Sequence, residues 1–92
     1  MTLPGESILT QAEWDEVVKS FALSTRQAQI AHMIMQGCTD RQIAEELGIA
    51  HATVRTHLKQ VFARARVADR NEMILAMVRQ SMVNDRSRAS TA

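Results

Sequence analysis

Apolar residues recur along this chain at helical spacing, and short polar runs that read as helix starts separate the recurrences. Trp14, Val17, Val18 and Phe21 fall at i, i+3, i+4 and i+7 and predict a helix over 11–22. Ile30, Ala31, Met33 and Ile34 give a second stripe, over 25–36, with Gly37 placed to stop it. Ile43, Ala44 and Leu47 mark a short helix over 40–47 that ends at Gly48. Val54, Leu58, Val61, Phe62 and Ala65 share one face of a longer helix over 51–65. A fifth helix, over 70–83, carries two stripes: Met73, Ile74 and Met77, then Leu75, Val78 and Met82. From Asn84 onward the chain is polar and non-periodic, and 84–92 is expected to be a disordered tail. No strand-like alternation and no internal repeat occur, so the expected class is all-α.

The starts have a shared chemistry. Thr10/Glu13, Ser24/Gln27, Thr39/Gln42 and Asp69/Glu72 each place a short oxygen-bearing side chain three residues before Glu or Gln, the spacing of a capping box. Leu9 with Trp14, and Cys38 with Ile43, are spaced as hydrophobic staples. The helix over 51–65 starts at Ala50, which offers no capping oxygen and costs about 1 kcal/mol relative to Ser.

A short helix ending in Gly, a tight turn and a longer helix is the arrangement of a helix-turn-helix. Ala44 is small enough for a close crossing, Gly48 permits the turn, and Ile49 and Val54 are positioned to fill the angle. The outer face of the longer helix then carries Arg55, Thr56, Lys59, Gln60 and Ala63. Arg and Lys can read guanine edges, and Thr can contact a thymine methyl or a phosphate. Ala52 and Ala63 keep that helix slim enough to approach a groove floor.

Charge sharpens this picture. The 92 residues carry a net charge of only +1, unevenly placed. Residues 1–22 sum to −3, 23–48 to −1, 49–70 to +4 and 71–92 to +1. The basic surplus thus coincides with the helix over 51–65, where a polyanion would feel it.

Composition removes other classes. Apolar residues are 46% and charged residues 23%, as in ordinary globular domains. A lone cysteine, Cys38, excludes a disulfide-stapled scaffold and is expected to be a buried structural thiol. Three aromatics and no Tyr argue against a sheet that stacks single-stranded bases. No apolar run approaches a membrane span and no leader pattern opens the chain, so the expected compartment is the cytoplasm. His51 and His57 are six apart and share no helix face, so no metal site is expected. His57 is expected to pack at the core edge. Ser24, His32 and Asp40 form no recognisable triad, and neither enzymatic activity nor a cofactor is expected. No receiver or ligand-binding domain of usual length accompanies the five helices, so no signal-sensing machinery is expected either.

Residues Leu23 to Met77 resemble the LuxR-type (GerE-like) DNA-binding domain of bacterial transcription regulators. The matching text is Leu23-Ser24-x-Arg26, then Gly37-x-Thr39-x-x-x-Ile43-Ala44-x-x-Leu47-x-Ile49, then Thr53-Val54-Arg55-x-His57, Val61, Val67 and Arg70. The resemblance implies a four-helix helix-turn-helix domain over 23–83, here preceded by one extra amphipathic helix within an extension over 1–22. It implies a recognition helix over 51–65 in the major groove of double-stranded DNA, in a bacterial cytoplasm at the nucleoid. It also implies a homodimer on an inverted repeat, paired through the last helix. Carried over by position, Arg55, Thr56 and Lys59 face bases or nearby phosphates, and Thr39, Arg41, Thr53 and Arg64 hold the DNA backbone. Gln60 joins the base-facing set from its place on the outer face, and Arg66, where the chain departs from the family, adds a charge placed to reach the backbone or to sit in solvent. Leu75, Val78 and Met82 would form the dimer interface. The chain departs from the family pattern where the family usually has Glu (Gln27), Ser or Thr (Ala50), Leu (Ala65) and Gly or Asn (Arg66). Gln27 is expected to lose an intradomain ion pair.

Two functional readings follow. One is a sequence-specific DNA-binding transcription regulator acting as a dimer. The other is a protein-interaction module that pairs with another regulator or RNA polymerase and binds DNA weakly. The low net charge, the cap at Ala50 and the acidic first helix favour the second; the basic 49–70 segment and the Thr53-Val54-Arg55-x-His57 run favour the first.

Overall fold

A computed structural model describes residues 8–90, with side chains described through Ser87. The five helices are α1 (Gln11–Phe21), α2 (Thr25–Met35), α3 (Asp40–Leu47), α4 (His51–Ala65) and α5 (Arg70–Ser90). No strand occurs among the described residues.

The polar starts build the helix ends as their chemistry demands. Thr10, Ser24 and Thr39 each accept a bond from the third helical N–H, and Glu13, Gln27 and Gln42 each accept one from the cap N–H. The start of α5 differs from the predicted box. The Asp69 side chain accepts from the Glu72 N–H at 2.9 Å, but the Glu72 carboxylate accepts from the Ala68 N–H at 2.8 Å, one residue earlier. Ala50 makes no side-chain capping bond.

The first four helices stop by one device. Leu23, Cys38, Ile49 and Val67 each donate their N–H to the carbonyl five residues back, at 2.9–3.1 Å, the long bond of a Schellman motif. This requires a left-handed residue just before each donor. Gly37 (φ 90°) and Gly48 (φ 65°) meet that need without strain. Ala22 (φ 53°) and Arg66 (φ 57°) meet it with a Cβ in place.

The apolar stripes converge on one core. Trp14, Val17, Ile30, Ile34, Ile43, Val54, Leu58, Val61, Met73 and Met77 are all buried. Helix α4 lies at its centre, packed against α2, α3 and α5, while α1 packs along α5. Helix α1 is joined to α2 as well: the Trp14 and His32 rings stack with centroids 5.1 Å apart and planes 16° apart. Leu9 and Cys38, the outer halves of the two staples, are half-buried against the core. Burial lowers the His32 pKa below 6.5, against an opposing pull from Asp15.

Helix α5 corrects one expectation. It continues to Ser90, so residues 84–90 are helix where an irregular tail was predicted. Nothing between Asn71 and Ser90 is Gly or Pro. The half-buried Asn84 accepts from Gln80 Nε2 at 3.0 Å and donates to Ser20 Oγ of α1 at 3.4 Å. The polar residues end the apolar stripe without ending the helix. Thr91 and Ala92 lie outside the described residues, as does the extension before Ile8.

Two sets of outcomes test these terms. Ala50→Ser should add about 1 kcal/mol of stability by capping α4, and Arg66→Gly about 1 kcal/mol by relieving the left-handed strain. Both are read by chemical or thermal unfolding, and no gain would remove the corresponding term. His32 contributes a pH dependence of defined sign. Its folded pKa is lowered, so the unfolded chain takes up the proton first. Stability is complete above the ordinary His value near 6.5 and declines as pH falls from there through the lowered value. His32→Phe keeps a ring for Trp14 to stack on, and should shrink the loss of Tm between pH 7.5 and 5.5.

Candidate nucleic-acid interface

The unit that positions the site is α3, the turn at Gly48, and α4. Ile49 donates its N–H to Ala44 O at 3.1 Å, which folds the chain back directly after the last turn of α3. Ile43 and Val54, both fully buried, lock the two helices from inside, and Ala44, Leu47 and Ile49 close the edges. With Val54, Leu58 and Val61 facing inward, the opposite surface of α4 is fixed.

That surface holds Ala52, Thr53, Arg55, Thr56, Lys59, Gln60, Ala63 and Arg64, all exposed. Arg55 and Lys59 are one turn apart on the flank that faces the start of α5. They line a cleft of about 340 Å³ with Leu58 and Phe62 on its apolar side and Asp40, Asp69 and Arg70 on its polar side. Arg70 is ion-paired with Asp40, which ties the first turn of α5 to the first turn of α3 and occupies that carboxylate. Among the described residues, Arg55, Lys59, Arg64 and Arg66 form no ion pair. Four exposed cations on one helix and its C-terminal turn are thus left for an external anion.

Thr56 sits on the crest between the flanks. Its hydroxyl donates to Ala52 O at 3.0 Å, which leaves this exposed side chain with a methyl and an acceptor oxygen but no free donor. Thr53 and Arg64 lie on the other flank, towards α2. Gln60 belongs beside them more than beside Arg55 and Lys59. Its Oε1 accepts from Gln27 Nε2 at 3.0 Å, a contact reaching 33 residues back to α2. The expected loss at Gln27 is therefore made good by a neutral amide pair. Arg41, on the outer face of α3, is exposed and paired with Glu45 at 3.2 Å. Thr39, whose hydroxyl caps α3, is exposed at its N-terminus. His57 is half-buried, and its Nδ1 is buried without a hydrogen-bond partner. Sequence reasoning missed the Asp40–Arg70 pair and the Gln27–Gln60 pair, since neither spacing is local. No group of three or more His, Cys, Asp or Glu among the described residues could hold a metal ion. No helix of the described residues is long and apolar enough to cross a membrane.

On α5, Leu75 and Met82 are exposed at 53% and 55%, Val78 is half-buried, and Val83 is exposed beside them. This outward apolar face is opposite Met73 and Met77.

The α3–turn–α4 geometry with a basic outer face defines a helix-turn-helix domain. The model of the bacterial regulatory proteins of the luxR family matches residues 22–77, and the chain belongs to that family. Such domains are DNA-binding regulatory domains, not enzymes. The chain is 30% identical over 70 residues to the HTH-type transcriptional regulator MalT of Vibrio campbellii, an alignment that covers 76% of this chain and 8% of the relative. The MalT regulator of Yersinia pestis is likewise 30% identical over 69 residues, covering 75% of this chain and 8% of the relative. The chain therefore spans under a tenth of the length of these relatives. No solved structure matches.

Proposed function

We propose that this domain is a sequence-specific DNA-binding transcription regulator that lays α4 in the major groove of double-stranded DNA. The observation that carries the reading is the exposed, unpaired Arg55 and Lys59, together on one flank beside Thr56 on the outward face of the second helix of the pair. Arg55 and Lys59 suit guanine edges and the Thr56 methyl suits a thymine. Thr39, Thr53, Arg64 and Arg66 suit phosphates on either side. Arg41 joins them by exchanging Glu45 for a phosphate, an exchange that costs little because the pair is exposed. The domain works in the bacterial cytoplasm, at the nucleoid.

Pairing of two copies through the outer face of α5 completes the proposal. Leu75 and Met82, with the half-buried Val78 between them, form an apolar stripe that a single copy leaves only partly covered. Two-fold pairing there calls for an inverted repeat in the DNA. The same stripe supports the alternative, a module that pairs with another regulator or RNA polymerase.

Selection from random duplexes at several salt concentrations separates the two. A steep loss of binding with salt and an enriched inverted repeat are expected; no retention at low salt would leave the interaction module. On the enriched site, Arg55→Ala and Lys59→Ala should each weaken binding by about 1–3 kcal/mol and relax preference at one position. Arg64→Ala should weaken all sequences alike and lower the salt slope by about one. The pair Leu75→Glu and Val78→Glu should reduce the sedimentation mass to that of one chain and weaken binding to the repeat. An unchanged mass and affinity would remove α5 from the interface.

A further inference from the structure

Sequence reasoning places Gln60 among the base-facing residues, yet its side chain is oriented by a relay that runs through the buried Gln27. The relay starts at a group whose polarity is fixed. The Ser24 backbone N–H can only donate, and it donates to Gln27 Oε1 at 3.0 Å. That bond sets the Gln27 carboxamide, whose other end, Nε2, must then be a donor. It donates to Gln60 Oε1 at 3.0 Å. Gln60 is thereby fixed in turn, with its oxygen held against α2. Its Nε2 has no partner among the described residues and belongs to an exposed side chain.

Gln27, the middle member of the relay, is 8% exposed, so its carboxamide is sheltered from water, while Ser24 and Gln60 at the two ends are exposed. The Gln27 N–H donates to Ser24 Oγ at 3.2 Å, which locks the cap of α2 to the same residue. An exposed glutamine normally presents oxygen and nitrogen with equal ease. Here one face of the amide is chosen before any partner arrives, which removes part of the ordering cost of binding. Gln60 also shares its flank of α4 with Thr53 and Arg64, whose side chains are likewise donors.

We infer that Gln27 is a positioning residue which turns the Gln60 amide so that its N–H groups meet a phosphate oxygen of the DNA backbone. Gln60 then acts as a phosphate clamp and not as a reader of base edges. The inference rests on α4 entering the groove. It goes further in naming the atom presented and the residue that turns it.

The resemblance makes a sharp variant available, since the family usually carries Glu at position 27. A carboxylate there still accepts from the Ser24 N–H, but it has no donor for Gln60. Gln60 must reverse, giving its Nε2 to the carboxylate and turning its oxygen outward. The cap is kept and the presented polarity is inverted.

The test measures affinity for the selected duplex at one salt concentration, with melting curves as a control for folding. Gln60→Ala should weaken binding about tenfold, the size of one hydrogen bond to a charged group. Gln27→Glu should weaken it at least as much in the unaltered chain, and by less than about twofold in the Gln60→Ala background. Gln60→Glu, which leaves the buried residue untouched, should weaken binding more than Gln60→Ala. A Gln27→Glu loss that is equal in both backgrounds would mean a merely structural role and overturn the inference. So would unchanged affinity in Gln60→Ala. If the unaltered chain binds no duplex, the DNA reading fails with it; intact binding with additive losses overturns this inference alone.

Discussion

The arrangement depends on the reversal between α3 and α4. Gly48 takes a left-handed conformation, Ile49 bonds back to Ala44 O, and Ile43 and Val54 fill the inside of the angle. A Cβ at Gly48 would meet nothing within 4 Å, so glycine is there for its backbone and not for space. If that turn opened, α4 would lose the α3 side of its packing and its outer face would have no fixed direction. The cations on that face are useful only because the apolar face is held so firmly.

Of the four helices α1 to α4, α4 is the least well terminated. It has no side-chain cap at Ala50, and its C-terminal turn is made by Arg66 with a positive φ. Both features cost local stability, and neither is repaired by a neighbouring side chain. Helix α4 is held instead by position: it is the element that α2, α3 and α5 all touch. Tertiary burial of Val54, Leu58 and Val61 outweighs its ends, as expected when packing supplies most of a helix's stability. At Arg66 the strain has a use on the DNA-binding reading, because glycine there would relieve the backbone and delete an exposed cation.

What the sequence made legible follows the range of the interactions. Caps, staples and stripes are written within four or five residues, so the five helices and three complete boxes were readable at Thr10, Ser24 and Thr39. The Asp69 start was readable in part, because the choice between the Asp69 and Ala68 N–H as Glu72's donor is set by loop geometry. The end of α5 was not legible, because the loss of apolar periodicity after Val83 is not a loss of helix. Asn84 shows the difference, since its partners are Gln80 and a residue on α1. Within the site, the exposed basic face of α4 was readable from periodicity alone. The grouping of Gln60 was not, since its partner lies 33 residues away, nor was the Asp40–Arg70 pair across 30 residues. The first link fixes which flank of α4 Gln60 serves, the second sets the start of α5 beside the cleft lined by Arg55 and Lys59, and a one-dimensional pattern contains neither.

The Asp40–Arg70 pair also gives the outer face of α5 a mechanical consequence. It joins the first turn of α5 to the first turn of α3, while Val67 bonds back to Phe62 O and fixes the short connection from α4. Helix α5 is therefore referenced to the helix-turn-helix unit at its N-terminal end and to α1 further along, through Asn84 and Ser20. Were two copies to pair through Leu75, Val78 and Met82, the separation of their two α4 helices would be set by this framing and not by a flexible linker. Half-site spacing in the DNA would then report the geometry of α5. A change that loosened Asp40 from Arg70 would blur the preferred spacing before it altered the preferred bases, because Arg55, Thr56 and Lys59 would keep their places on α4.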